Sequence, residues 1–359
     1  MDDILYSKQA DDSAFFSMVS FFAALCLFLA AVEYAVPKPF PFMRLGLANL
    51  PILLSLTKLP KRHVLLLIIF KVLGQALISG TLFSYVFVFS AAGSAASGLT
   101  MLLLYSVFQR TGNVSNIGLS VSGAFANNCA QVAVARVMVF GENTKYIAPV
   151  LFATGLATGL TLGIFANTFC ARSEWYKNLP SGGNTQENML HRLRSSCAVP
   201  ASPVSSIMSR VQFIIAMILF PVFLLQKNVV IVWGGTVIFY ILTMFKRGGK
   251  VKLLPSLFMT LGVTFFALLT PYGKVLFSFG SFRITQDALV TGLRKSGILA
   301  GMVFLSQFAV SPRLNLPGRI GRFLGSVFAV FNGFTAQRIE FRRGHVIEAL
   351  DSRLLELWG

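Results

Sequence analysis

The chain has 359 residues, of which 55% are hydrophobic and only 12% charged, and it includes 35 phenylalanines. A water-soluble domain carries roughly twice that charged share, so with a mean hydropathy of +0.71 the chain reads as a polytopic membrane protein. Its formal net charge of +18 is of the sign that nucleic acid attracts, but Lys and Arg gather in short stretches between long apolar runs, where the positive-inside rule expects them, which points away from nucleic acid.

A membrane-crossing helix needs about 20 mostly apolar residues. By that measure the first half yields six spans, near residues 14–32, 45–59, 64–79, 82–108, 114–140 and 147–170. The acidic start (Asp2, Asp3, Asp11, Asp12) lacks the basic region of a cleaved signal peptide, so the first apolar run is expected to stay as a span. The small-residue stretch SAAGSAASG at 90–98 could break the fourth span into a re-entrant pair. Residues 171–210, rich in Ser, Pro, Gly, Asn and charge, read as a linker. Further spans are expected near 211–225, 229–244, 253–269 and 292–310, with a basic loop, KRGGKVK, at 246–252. The segment PYGKVLFSFGSFRITQDALV, 271–290, returns towards the membrane.

The expected fold is all-α. A six-helix bundle (1–170) is joined by a cytoplasmic linker (171–210) to a bundle of about four to five membrane helices with amphipathic cytoplasmic helices (211–359). Placing the basic linker in the cytoplasm puts the N-terminus there too, and KLPKRH, Arg110 and KRGGKVK then all face inwards. The expected location is the inner (cytoplasmic) membrane, with both termini inside.

Several chemistries lack their residues. There is no GxxxxGK[ST] phosphate loop, and the 13 acidic residues form no aspartate cluster of the kind that holds Mg²⁺ on a diphosphate. Cys26, Cys129, Cys170 and Cys197 have no CxxC spacing, and His63, His191 and His345 stand apart, so no metal site or disulfide framework is visible. No nucleophile and base can be paired. The expectation is a transporter or membrane subunit with no catalytic or metal-binding residue and no cofactor of its own.

Candidate binding residues begin in PKPFPFMRLGLANLPILLSL, 37–56. Pro37, Pro39 and Pro41 stop the first helix, and the next starts near Arg44 at the outer face. A helix start aimed at a cavity can bind a small anion, with Arg44 supplying charge and Asn49 a directional hydrogen bond. Alternatively Arg44 snorkels to headgroups and Asn49 bonds a neighbouring helix. Lys71 lies near the middle of the third span with Gln75 one turn on, and a deep ammonium is costly unless paired or hydrated. It either pairs with Glu33 or contacts a substrate. In SGAFANNCAQVAVAR, Asn127, Asn128 and Gln131 fall within one turn, Asn127 and Gln131 on one face. They read either a polar ligand or a neighbouring helix. Gly155, Gly159 and Gly163 form a smooth packing stripe.

In the second half Arg283, Asp287, Arg294 and Lys295 surround a helix start, with Thr285 as its expected N-cap. Arg313, Arg319, Arg322, Arg338, Arg342 and Arg343 sit on helices rich in Phe and Leu. Such helices lie flat on the cytoplasmic membrane surface or dock a soluble partner, to which the stripe Ile347, Leu350 and Leu354 would contribute.

FPFMRLGLANLPILLSL together with GNVSNIGLSVSGAFANNCAQVAVA resembles the Gx transporter family, a group described as heptaprenyl diphosphate synthase component I. That family is similar to the six-helix substrate-binding S components of energy-coupling factor (ECF) vitamin transporters. The resemblance covers residues 14–170 and rests on Arg44, Gly46, Leu47, Asn49 and the region 123–131. Asn127 stands where the family pattern has a histidine. GSFRITQDALVTGLRKSGILAGMVFLS more faintly resembles the T component of the same transporters, although the Ala-Arg-Ser/Gly coupling motifs of T components are not found in this half. The resemblance implies a fused S-plus-T membrane subunit of an importer for a vitamin-like or cofactor-precursor molecule. Arg44, Asn49, Lys71, Gln75, Asn127, Asn128 and Gln131 would bind substrate, the six arginines after Ser311 would form the coupling surface, and separate ABC-type ATPase subunits would use the ATP. The competing reading is a non-catalytic membrane component of a polyprenyl diphosphate synthase or quinone pathway.

Overall fold

The structure is a computed structural model that describes residues 2–35, 46–109, 115–179, 203–246, 248, 253–279, 282–309, 318–336 and 346–358. Its helices are α1 (Asp2–Ala35), a 3₁₀ turn (Leu47–Asn49), α2 (Leu50–Ser55), α3 (Lys61–Ser79), α4 (Tyr85–Phe108), α5 (Asn116–Ala135), α6 (Thr144–Arg172) and α7 (Glu174–Asn178). After them come α8 (Pro203–Leu224), α9 (Val229–Lys246), α10 (Leu254–Leu268), a hairpin of β1 (Val275–Phe279) and β2 (Phe282–Thr285), α11 (Gln286–Ala309), α12 (Gly318–Ala336) and α13 (Val346–Trp358). Six stretches of the described residues are long and apolar enough to cross a membrane, and one of them, Asn116–Arg172, contains both α5 and α6. The chain is an all-α multi-pass membrane protein.

The predicted fourth span is one unbroken helix, because SAAGSAASG buries Ser90, Gly93, Ser94, Ser97 and Gly98 on a single face of α4. The predicted second span is corrected. Residues 46–59 hold only the 3₁₀ turn and the six-residue α2, too short to cross a bilayer as a helix. Pro51 opens α2, every residue of which is buried, and Pro60 precedes α3. The segment nevertheless returns the chain along the bundle. Gly46 and Leu47 meet Glu33 late in α1, whereas Leu54 and Thr57 meet Tyr176, whose neighbour Trp175 packs on Phe21 and Phe22.

Helices α5 and α6 pack through the glycine stripe as expected. A Cβ at Gly163 would fall 2.6 Å from the Ile117 Cα, and the Ser120 hydroxyl donates to the Gly159 carbonyl at 2.7 Å. In the second half α11 is central, and threonines bond across the helices. Thr236 Oγ1 donates to the Gly297 carbonyl at 3.0 Å and Thr243 Oγ1 to that of Phe304 at 2.9 Å. Phe83 N donates to Ser306 Oγ at 2.9 Å and Asn143 Nδ2 to the Phe266 carbonyl at 2.5 Å, so the two halves meet directly.

The Arg-rich tail departs from the surface-lying reading. Leu324, Val327, Val330 and Phe334 of α12 are buried, with Phe323 against Phe16 and Phe70 and Phe334 against Phe21 and Phe28. Leu350 and Leu354 of α13 are buried as well, so the apolar stripe of the tail is used within the molecule. Asp351 fastens it. Its carboxylate accepts from the Ser173 hydroxyl, from Glu174 N at 3.0 Å and from Trp175 N at 3.2 Å, which caps α7.

Two substitutions test this packing in thermal unfolding of the purified protein. Asp351→Ala removes the cap of α7 and is expected to cost about 2 kcal/mol, with earlier proteolysis of the tail. Gly163→Ala meets backbone and is expected to destabilise by about 1–3 kcal/mol, whereas Gly234→Ala, inside α9 with open space around it, is expected not to lower the melting temperature.

Candidate functional site

Gly46 adopts a left-handed conformation (φ 84°), which favours glycine. Its N–H and that of Leu47 donate to Glu33 Oε2, both at 3.1 Å. These are unpaired donors of a helix start, where a carboxylate is favourably placed. Asn49, at the junction with α2, then accepts through Oδ1 from the Lys71 ammonium of α3. Lys71 is 2% exposed. The Lys71 ammonium thus bonds an asparagine on the neighbouring element, a partner that neither sequence reading named, while Glu33 Oε2 accepts from two backbone amides.

Across the bundle, Asn127 Nδ2 donates to Asn128 Oδ1 at 3.5 Å, and Asn128 Nδ2 donates to the Leu151 carbonyl at 2.6 Å. Gly155 makes this possible, since a Cβ there would lie 1.8 Å from Asn128 Nδ2. Gly93 on α4 does the same for Asn127, whose Oδ1 lies 2.2 Å from the position of a Cβ. The result is a polar cavity enclosed by α2, α4, α5 and α6, with Asn49, Ser97, Ser120, Asn127 and Asn128 in its walls. Leu50, Leu53, Met101 and Leu162 supply the apolar lining. The cavity leaves about 20 Å³ for the centre of a water molecule, so it is closed to anything much larger than water. The Ser97 hydroxyl, 1% exposed, has no hydrogen-bond partner among the described residues.

Asn49, Asn127 and Asn128 therefore share one cavity, and Lys71 stands behind its wall. Gln75 and Gln131 lie outside the lining. Gln75 Oε1 accepts from Ser90 at 3.4 Å, and the amide of Gln131 is buried beside Gly93 without a partner among the described residues. Arg44, Arg313, Arg338, Arg342 and Arg343 fall outside the described residues, as do the side chains of Arg319 and Arg322. Sequence reasoning missed Ser97, Gly93 and Gly155 as parts of the site. The spacing of Ser90, Gly93, Ser94 and Ser97 along one helical face was the signal for the first two. In the second half Thr285 is part of β2, and its hydroxyl accepts from Tyr272 N at 3.2 Å.

The floor of the site is tied to the linker side of the bundle. The Tyr176 hydroxyl bonds the Leu54 carbonyl at 3.1 Å and Thr57 Oγ1 at 2.6 Å, and burial pushes its pKa up, so it remains a neutral phenol. A separate apolar groove of about 430 Å³ lies on the outer faces of α4, α5 and α6, where Phe125 and Leu156 are exposed, as on a lipid-facing surface.

A polar cavity of this kind lies inside the apolar helical bundle of a multi-pass membrane protein. Residues 22–169, which build that cavity, match the family model described as Heptaprenyl diphosphate synthase component I, the family the sequence resembles there. Residues 207–311 match a domain of unknown function, DUF8519. No curated protein and no solved structure matches the chain.

The Asn49 to Lys71 bond is open to a direct test. Asn49→Ala leaves a buried ammonium without this acceptor and is expected to cost about 2–3 kcal/mol in unfolding measurements. Asn49→Asp, which supplies a charged acceptor, is expected to recover most of that loss.

Proposed function

We propose that the N-terminal bundle is the substrate-binding module of an energy-coupling factor type importer, and that the second half joins it to separate cytoplasmic ABC-type ATPases. The observation that carries this reading is the cavity of Asn49, Asn127, Asn128 and Ser97. The Ser97 hydroxyl has no partner among the described residues, which costs stability, and each amide of the cavity has donor or acceptor capacity beyond the bond it makes, so a small ligand with donor and acceptor edges is suited to the space. The closed cavity is then the unloaded state, and loading moves α2 away from α4, α5 and α6. Lys71 acts through Asn49, favouring a ligand with an anionic or strongly accepting group. The Arg-rich segments around α12 would serve as the coupling surface, and the inner membrane as the location, with both termini in the cytoplasm.

A second reading takes its support from the description of the matching family, which names a component of a heptaprenyl diphosphate synthase. There the chain anchors a soluble synthase and transports nothing. Mass spectrometry of the protein isolated from its native membrane in mild detergent separates the two. Recovery of paired ATPases and a retained small metabolite is expected, and recovery of a prenyl synthase with neither would overturn the importer reading. Asn127→Ala is expected to weaken metabolite retention about tenfold, the loss of one buried hydrogen bond to the ligand.

A further inference from the structure

The hairpin between α10 and α11 has two unlike faces. β1 and β2 pair antiparallel, with Phe277 opposite Ile284, Ser278 opposite Arg283 and Phe279 opposite Phe282. The period of two then puts positions 277, 279, 282 and 284 on one face, and all four are apolar in the sequence. Positions 278 and 283, Ser and Arg, share the other with Val275 and Thr285. An irregularity between Val275 and Phe277 lets Leu276 stand outside the alternation. Phe277 is 61% exposed and Leu276 55%. A two-stranded hairpin is marginal in water by itself, so the exposed Phe277 and Leu276 side chains need an apolar cover.

The hairpin is held firmly to the membrane helices. Tyr272 hydrogen-bonds Thr291 of α11 through its hydroxyl at 2.6 Å, and Gln286 N donates to the Lys274 carbonyl at 2.9 Å. Gly273 (φ 85°) lies so close to α11 that a Cβ there would be 1.9 Å from Asp287 Oδ2. The helix leading into the hairpin, α10, exposes Leu257, Phe258, Leu261 and Phe265, which makes a lipid-facing surface that runs up to it. Lys274 and Arg283, both exposed, flank the apolar positions.

We propose that this hairpin lies in the membrane surface, with its Phe277 face in the boundary between headgroups and acyl chains and Lys274 and Arg283 reaching the headgroups. Amphipathic segments with aromatic residues on one face and cations beside them settle at that depth, and long basic side chains reach outwards from it. The occupant of the aromatic face is lipid. The hairpin then anchors the junction of α10 and α11, and it sets the height at which α11 enters the bilayer.

The test uses the full chain in lipid nanodiscs, with a nitroxide at Phe277→Cys or Ser278→Cys in a variant whose native cysteines are replaced by alanine. The expected result is a ratio of oxygen to nickel-chelate accessibility several times higher at position 277 than at 278. Equal ratios, with both labels open to the chelate, would place the hairpin in water and overturn the proposal. Should the cysteine-free variant fail to fold, a benzophenone amino acid at position 277 of the otherwise native chain gives the same decision. Light-induced adducts to lipid are expected, and adducts to another protein, or none to lipid, would overturn the assignment.

Discussion

An ammonium held 2% exposed inside an apolar helix must be given an acceptor by the protein, because the surrounding hydrocarbon offers none. Lys71 finds one in Asn49, and the course of the chain from Gly46 to α3 brings that amide to it. A straight second span would satisfy its own backbone but would not bring an amide to this point. Instead the chain turns left-handed at Gly46, gives two helix-start amides to Glu33 and enters a short, fully buried α2 with Asn49 at its head. Glutamate, asparagine and lysine thus belong to one arrangement in which α1, α2 and α3 are mutually placed.

Polar side chains elsewhere in the bundle are accommodated by removing carbon. Gly93 and Gly155 leave the space that Asn127 and Asn128 occupy, and Gly159 and Gly163 let α5 approach α6 closely enough for Ser120 to reach a carbonyl. Within lipid there is no hydrophobic drive to bring helices together, so close packing and interhelical hydrogen bonds carry the association. The second half solves the same problem with threonine. Thr236 and Thr243 each bond a carbonyl on α11 as well as one on their own helix, and Gly297 and Gly301 sit beside Val232, Trp233 and Phe223. Ser120 and Asn128 likewise bond carbonyls of the neighbouring helix but also line the cavity, whereas the Ser97 hydroxyl there has no partner among the described residues.

The C-terminal helices link the far end of the chain to that site. Asp351 caps α7, Tyr176 of α7 bonds both Leu54 and Thr57, and α2 forms a wall of the cavity. The aromatic group of Phe21, Trp175, Phe334 and Trp358 surrounds this connection with close ring contacts. A chain that reads as two modules with a polar linker is closed on itself in this way, and its second half is packed against the first as well as following it in sequence.

Hydropathy made the membrane class and the long helices legible, since a bilayer sets helix length by thickness alone. The family match over residues 22–169 agrees with the motif reading of that region. The pairing of Asn49 with Lys71 was not legible, because they lie on separate elements. SAAGSAASG left open a break in the fourth span, whereas its small residues are what let an unbroken α4 face the cavity. The apolar stripe of α13 showed that it would be covered but not by what. Composition and periodicity by themselves determined that this protein crosses a membrane, and roughly where its helices run, because those depend on local apolar length. Only the tertiary structure decided which buried polar groups meet and which are left facing a cavity, because that depends on how closely separate helices approach.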